Sequence, residues 1–199
     1  MGTCELVGKA LSLFHLNVTC WGPLVLGLFT APSFDIALLC ETHLLAPAAL
    51  ATAKRDLSRL GFCSHFHPAT ATDSDDQVFP AEAMYSSPEC FPSRFEDPAV
   101  ANAADVWQSA RRTRAGCAIV WKHHLAVEPL PGESLSLLLP SIFLRSRILP
   151  MMLRCRSVTY LLLEVYLITG LGLSGANWEI LEAISVLIRF SDVSGSDFR

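Results

Sequence analysis

The chain has no Cys-x-x-Cys pair, no Gly-rich phosphate loop, no dinucleotide fingerprint and no nucleophile elbow around its serines, Ser86, Ser87 and Ser194 included. These gaps exclude the sequence-local zinc ribbons, the P-loop and Rossmann nucleotide binders, and the usual serine hydrolases. Charge is also scarce. Only 17% of residues are Asp, Glu, Lys or Arg, and the net charge is −4. There is no basic footprint, so bulk charge lends no support to nucleic-acid binding and leaves only local patches to supply it. The seven cysteines, at 4, 20, 40, 63, 90, 117 and 155, are scattered and odd in number. That pattern indicates reduced thiols inside a cell, neither a disulfide framework nor a zinc site. No internal repeat and no low-complexity tract occurs.

What the chain does have is apolar surface. Over 199 residues, 51% are hydrophobic and the mean hydropathy is +0.39. This length suffices for one domain with a real core. From Ala10 to Ala31 there are 22 residues without a charge, long enough for a membrane anchor. Against that reading, His15, Asn17 and Thr19 interrupt the run, and Gly22-Pro23 breaks a helix at its middle. A soluble, intracellular protein (nuclear or cytoplasmic) without stable membrane association is therefore expected, with a small membrane-anchored protein as the minor rival.

Periodicity gives a coarse map. Residues 11–18 read as a strand ending near Asn17, and Pro32-Ser-Phe-Asp35 as a turn into an apolar strand that ends at Cys40. Leu50, Ala53, Leu57 and Leu60 share one helical face between Pro47, suited to a first turn, and Gly61, suited to the position past the end. Phe62 to Thr70 fits a short strand, and Arg114 to Trp121 a further apolar strand. Val158 to Ile168 is rich in β-branched and aromatic residues and is a strong strand. Asn177 is expected to cap a helix with Trp178, Leu181, Ile184 and Ile188 on one face. Residues 78–112 lack any period and read as a disordered insertion. Residues 129–150, punctuated by prolines, read as irregular. Strands and helices in this mixture predict a layered α/β fold.

The segment Asp35-Ile-Ala-Leu-Leu-Cys-Glu41-Thr-His-Leu44 carries the most information. It is an apolar strand that delivers a carboxylate at its C-terminal end, the place where open α/β sheets bind ligands. Taken with Asn17-Val-Thr-Cys-Trp21 before it, and with Pro68-Ala-Thr-Ala-Thr72, Ala115-Gly-Cys-Ala-Ile-Val120 and Glu164-Val-Tyr-Leu167 after it, the chain resembles the endonuclease/exonuclease/phosphatase superfamily. The details look closest to the apurinic-endonuclease-like domains of retroelements. The resemblance spans roughly residues 11–72 and 114–190 and rests on the order and spacing of its motifs. It implies a partial four-layer α/β sandwich over 11–199. Several positions depart from the family pattern: Cys40 replaces Gln, and Ala115 replaces the first Gly of a Gly-Gly pair. No Pro-Asn follows the Val-Tyr strand. A Gly-Asp-Phe-Asn motif is missing, unless Ser196-Asp-Phe-Arg199 is its degraded form. No histidine follows His124, so the family's late Asp-His pair is missing too.

The resemblance implies Mg²⁺, or Mn²⁺, held by the Glu41 carboxylate and the Asn17 amide oxygen, with Tyr166 and Asp197 as catalytic partners at the phosphate. Hard oxygen ligands in small number suit a magnesium ion that keeps its waters, and phosphodiester cleavage needs such an ion to neutralise the phosphate. The implied substrate is nucleic acid, DNA before RNA. Because the late motifs are missing, the expectation is the N-terminal part of a phosphodiesterase domain, inactive as this chain. The alternative is a non-catalytic remnant or binding module on the same scaffold. The histidines, among them the alternating His65 and His67 and the adjacent His123 and His124, have no Cys or carboxylate at ligand spacing. They are expected to be surface or partly buried residues.

Overall fold

The computed structural model describes residues 10–18, 21–71, 113–155, 158–168, 172–173 and 175–194. Asp197 and the 78–112 segment lie outside these residues. The described part mixes helices with two larger sheets and a short two-stranded one, as the α/β reading anticipates.

The first sheet has the order β1 (Leu13–Asn17), β2 (Ile36–Cys40), β6 (Cys117–Lys122), β3 (Phe62–His67). β1 and β2 run parallel, whereas β6 is antiparallel to both β2 and β3. β2 and β6 are central and almost entirely apolar because both their faces are covered. Ile36 and Ile119 turn one way, Ala37, Leu39, Ala118 and Val120 the other, and all six are fully buried. Each large side chain among them contributes roughly 1.5–3 kcal/mol through burial. β4 (Thr70–Ala71) and β5 (Thr113–Arg114) form the short antiparallel pair.

The outer face of the first sheet packs on helix α1 (Pro23–Gly27) and helix α2 (Pro47–Arg59), through Val25, Ala53 and Leu57. Helix α2 begins at Pro47 and stops before Gly61, whose φ of +86° is the left-handed stop the sequence signals. The charge-free run from Ala10 to Ala31 divides between β1 and α1. Pro23 starts that helix instead of breaking one, since its missing N–H is not needed in a first turn. Among the described residues no helix is long and apolar enough to cross a membrane.

The second sheet is an antiparallel meander of β7 (Ala126–Pro129), β8 (Ile148–Cys155) and β9 (Val158–Val165). Its Val127, Leu149, Met151, Leu153 and Leu162 face Ile36, Ile119 and Trp121 of the first sheet. Its other face carries Ile148, Met152, Leu161 and Leu163 under helix α5 (Ala176–Ser194).

Residues 129–150, expected to be irregular, hold helix α3 (Gly132–Leu138), helix α4 (Ile142–Arg147) and the start of β8. The prolines sit at element boundaries: Pro131 is the N-cap of α3, and Ser141, just after Pro140, caps α4 by accepting the Leu144 N–H. Leu139 and Leu144 then close the core beneath α5.

The expected role of Asn177 also changes. It lies inside α5, 2% exposed, and clips the end of β9. Its Oδ1 accepts the Ile168 N–H at 2.7 Å, and its Nδ2 donates to the carbonyls of Ile168 and Gly172 at 2.9 and 2.8 Å. Pinning the helix there rotates its buried stripe to Ile180, Ala183 and Leu187, leaving Trp178 and Ile188 exposed.

Candidate functional site

The strand directions bring many chain ends to one edge of the two-sheet stack. β1 and β2 finish there, with Asn17 opposite Cys40 and the Val18 N–H donating to the Cys40 carbonyl at 3.0 Å. β3 also finishes there, and β6 starts there, since His67 and Cys40 both lie opposite Cys117.

Beyond Cys40 the backbone is strained. Glu41 and His43 have φ of 56° and 54°, and facing them Ala115 has φ 62° and Gly116 φ 87°. Side chains with a Cβ pay on the order of 1–3 kcal/mol for such a conformation and keep it only where the surroundings impose it. Here the Thr42 and His43 N–H groups donate to the carbonyls of Gly116 and Ala115 at 3.0 and 3.2 Å. The Trp21 N–H donates to the Thr42 carbonyl at 3.1 Å, and the Ala69 N–H to that of Leu44 at 2.9 Å. Thr42 is fully buried. The turn thus presents Glu41 at a half-buried position on a tightly anchored loop.

The second sheet reaches the same edge. The Gly116 N–H donates to the Ser146 carbonyl at 3.1 Å, and the Tyr166 N–H to the Arg147 carbonyl at 2.8 Å. His67 Nδ1 lies 3.0 Å from the Ile148 carbonyl. A carbonyl only accepts, so Nδ1 carries the hydrogen. Burial lowers the His67 pKa, and that of His65 falls to about 4, chiefly through burial. Both imidazoles are neutral at pH 7, as core or partly buried histidines are. Arg147, almost fully buried, has its guanidinium over the rings of Phe143 and Tyr166, 4.9 and 5.1 Å from their centroids.

Of the residues singled out from sequence, Asn17, Glu41 and Tyr166 all reach this edge. The β1–β2 register aligns Asn17 with Leu13 and His15, on the face turned toward the second sheet. Tyr166 follows Leu162 and Glu164 on the face of β9 turned toward the first sheet.

Sequence reasoning passed over Arg147, inside a segment read as irregular, and Glu164, read only as part of a motif. Glu164 is 1% exposed between the sheets, and its Oε1 stands 3.3 Å from His15 Nε2. Burial raises its pKa to about 8. Burial, with Glu164 and Glu41 adding to it, pushes the Cys40 thiol up to about 12.

No protein-family model, no curated protein and no solved structure matches this chain. Its functional reading rests on the edge itself. Asn17 and Glu41 stand at the ends of two adjacent parallel strands, one with a carboxamide and the other with a carboxylate.

Proposed function

We propose that this chain is part of a metal-dependent phosphodiesterase domain of the endonuclease/exonuclease/phosphatase type, inactive by itself. In this reading the helix, sheet, sheet, helix stack is that superfamily's four-layer sandwich. The observation that carries it is the convergence of Asn17, Glu41 and Tyr166 at one edge, at the ends of three strands distant in sequence. Strained backbone at Glu41 and His43 adds weight, because such strain concentrates at functional sites.

Glu41 and Asn17 would hold the ion, which supplies charge neutralisation at a phosphate. Tyr166 contributes a hydroxyl donor to a phosphate oxygen. Arg147, permanently charged and stacked on the Tyr166 ring, orients that ring and adds positive potential at the edge. Among the described residues none is assigned the role of taking the proton of an attacking water, and on this reading the chain binds the ion and the phosphate but does not turn over. The acidic overall charge favours a short phosphodiester segment over a long electrostatic footprint.

The test has two readouts. Amide NMR during a Mg²⁺ titration is expected to move resonances of residues 17–18 and 40–43 in the wild type and not in Glu41→Ala. Nicking of supercoiled DNA with Mg²⁺ is expected to stay at background for both proteins. Absence of any Mg²⁺ response at these residues overturns the metal-site reading in favour of a non-catalytic binding module. Nicking by the wild type above Glu41→Ala overturns the claim of inactivity.

A further inference from the structure

Three ligating atoms from three different strands meet between the sheets: His15 of β1, Cys40 of β2 and Glu164 of β9. Their nitrogen, sulfur and carboxylate oxygen all lie within 4.8 Å of one another. We infer that His15, Cys40 and Glu164 form a binding site for a borderline-soft divalent cation of the zinc type, separate from the Asn17–Glu41 pair.

The donor set selects the ion. A thiolate and an imidazole favour zinc-like cations over magnesium, which wants oxygen alone. Zinc bonds of about 2.0–2.3 Å in tetrahedral geometry put neighbouring ligand atoms roughly 3.3–3.8 Å apart. The His15 Nε2 to Glu164 Oε1 separation is already 3.3 Å. The 4.8 Å bound on the others leaves a side-chain rotation of about 1 Å to complete the triangle.

The carboxylate is built into this position. Glu164 is 1% exposed, yet its Oε1 makes no hydrogen bond and is aimed at His15. A buried acceptor without a donor is costly, and a bound cation would satisfy it. Cys40 is held only by weak contacts, its Sγ lying 3.9 Å from the Leu16 carbonyl and hydrogen-bonding to the Glu164 carboxyl, so the thiol and the carboxyl already face each other. Its neighbour across the ladder, Cys117, directs its Sγ to the Ser146 carbonyl at 3.6 Å and stays outside the cluster. One thiolate and one carboxylate balance the charge of a divalent ion, so the complex is neutral in a weakly polar space.

Access comes from the third ligand. His15 is 58% exposed, which opens a route from solvent and leaves a fourth position for water, the arrangement of zinc sites with three protein ligands. Loading the site displaces the protons of the Cys40 thiol and the Glu164 carboxyl.

Cobalt(II) serves as the probe, because a thiolate ligand gives a near-ultraviolet charge-transfer band and tetrahedral coordination gives intense visible bands. The full chain is expected to bind one Co²⁺ with both signatures, and to lose them on addition of one equivalent of Zn²⁺. Cys40→Ser removes the charge-transfer band. His15→Ala, at an exposed position that leaves the core intact, weakens binding by roughly 100-fold or more, at least the loss seen for residues that merely support ligands. Cys63→Ser leaves the spectrum unchanged, and because the Asn17–Glu41 pair supplies no thiolate, the charge-transfer band reports this site and not the magnesium edge. A wild type without the charge-transfer band, a band that survives Cys40→Ser, or an unchanged Co²⁺ affinity in His15→Ala overturns the inference.

Discussion

A Cβ on Gly116 would stand 2.7 Å from the hydroxyl oxygen of Thr42, and 3.2 and 3.3 Å from the backbone nitrogen and Cβ of Ala69. The turn that carries Glu41 is therefore locked against the start of β6 by the absence of one methyl group. Gly116 also has φ +87°, where an L side chain is strained whatever the space. Gly116→Ala combines strain with overpacking and is expected to destabilise the fold by roughly 2–4 kcal/mol. Urea unfolding checks this, with a lowered midpoint and an unaltered slope as the expected outcome.

Glu41 makes the opposite case. With φ 56°, it sits where glycine is the relaxed residue. Glu41→Gly is expected to be more stable than Glu41→Ala by about 1 kcal/mol, while both lose the Mg²⁺ response at residues 17–18 and 40–43. Thermal unfolding of the two variants side by side measures the difference. Equal stabilities would show that the turn relaxes in solution.

At the far edge of the first sheet, Asp35 joins three strands. Its carboxylate accepts from the Ser12 N–H at 3.0 Å, the Ser12 hydroxyl at 2.8 Å and Lys122 Nζ at 2.9 Å. Burial alone would raise its pKa, but these partners bring it down to about 2. A lowered folded-state pKa stabilises above the unfolded value of about 4 and is lost as pH falls through about 2. Asp35→Asn is expected to cost about 1–2 kcal/mol at pH 7, allowing for solvent screening of the part-exposed pair, and close to nothing at about pH 2. Unfolding free energies of both proteins at pH 7 and in acid supply the comparison.

Glu164 runs the other way. Its folded-state pKa near 8 exceeds the unfolded value of about 4.3, so the stability tied to its protonated form is complete below about pH 4 and is lost as pH rises through about 8. In the presence of a chelator, the wild type is expected to lose stability between pH 5 and 9, on the order of 4 kcal/mol. Glu164→Gln, which cannot ionise, flattens that decline. A wild type and variant with parallel pH profiles would show that Glu164 ionises freely, and hence that it is hydrated.

Much of the architecture is legible locally. The apolar runs at 36–40 and 117–121 mark central strands because a strand covered on both faces has no polar position to spare. Pro47 and Gly61 bracket α2 because each fits only its own end of a helix. Asn17 and Glu41 are visible as strand-end residues because the apolar runs before them stop there, whereas Tyr166 reads as a residue within the strand 158–168 and lies just past the end of β9. The α5 stripe is misread by about one position, because Asn177 spends its amide on the Ile168 backbone and turns the helix with it.

The amino-acid sequence by itself determined the strands β1, β2, β3, β6 and β9, the helix α2, and the placing of a carboxylate at the end of β2. It determined these because periodicity, capping and φ preference act within a few residues. Only the tertiary structure decided the fate of Glu164, which in sequence is one acid in an apolar strand. Packing β9 over β1 and β2 buries it 3.3 Å from His15, beside Cys40, and makes a candidate metal cluster from residues 25 and 124 positions apart. No spacing rule reaches that far, because the distance between these side chains is set by how two sheets stack and not by the chain that links them.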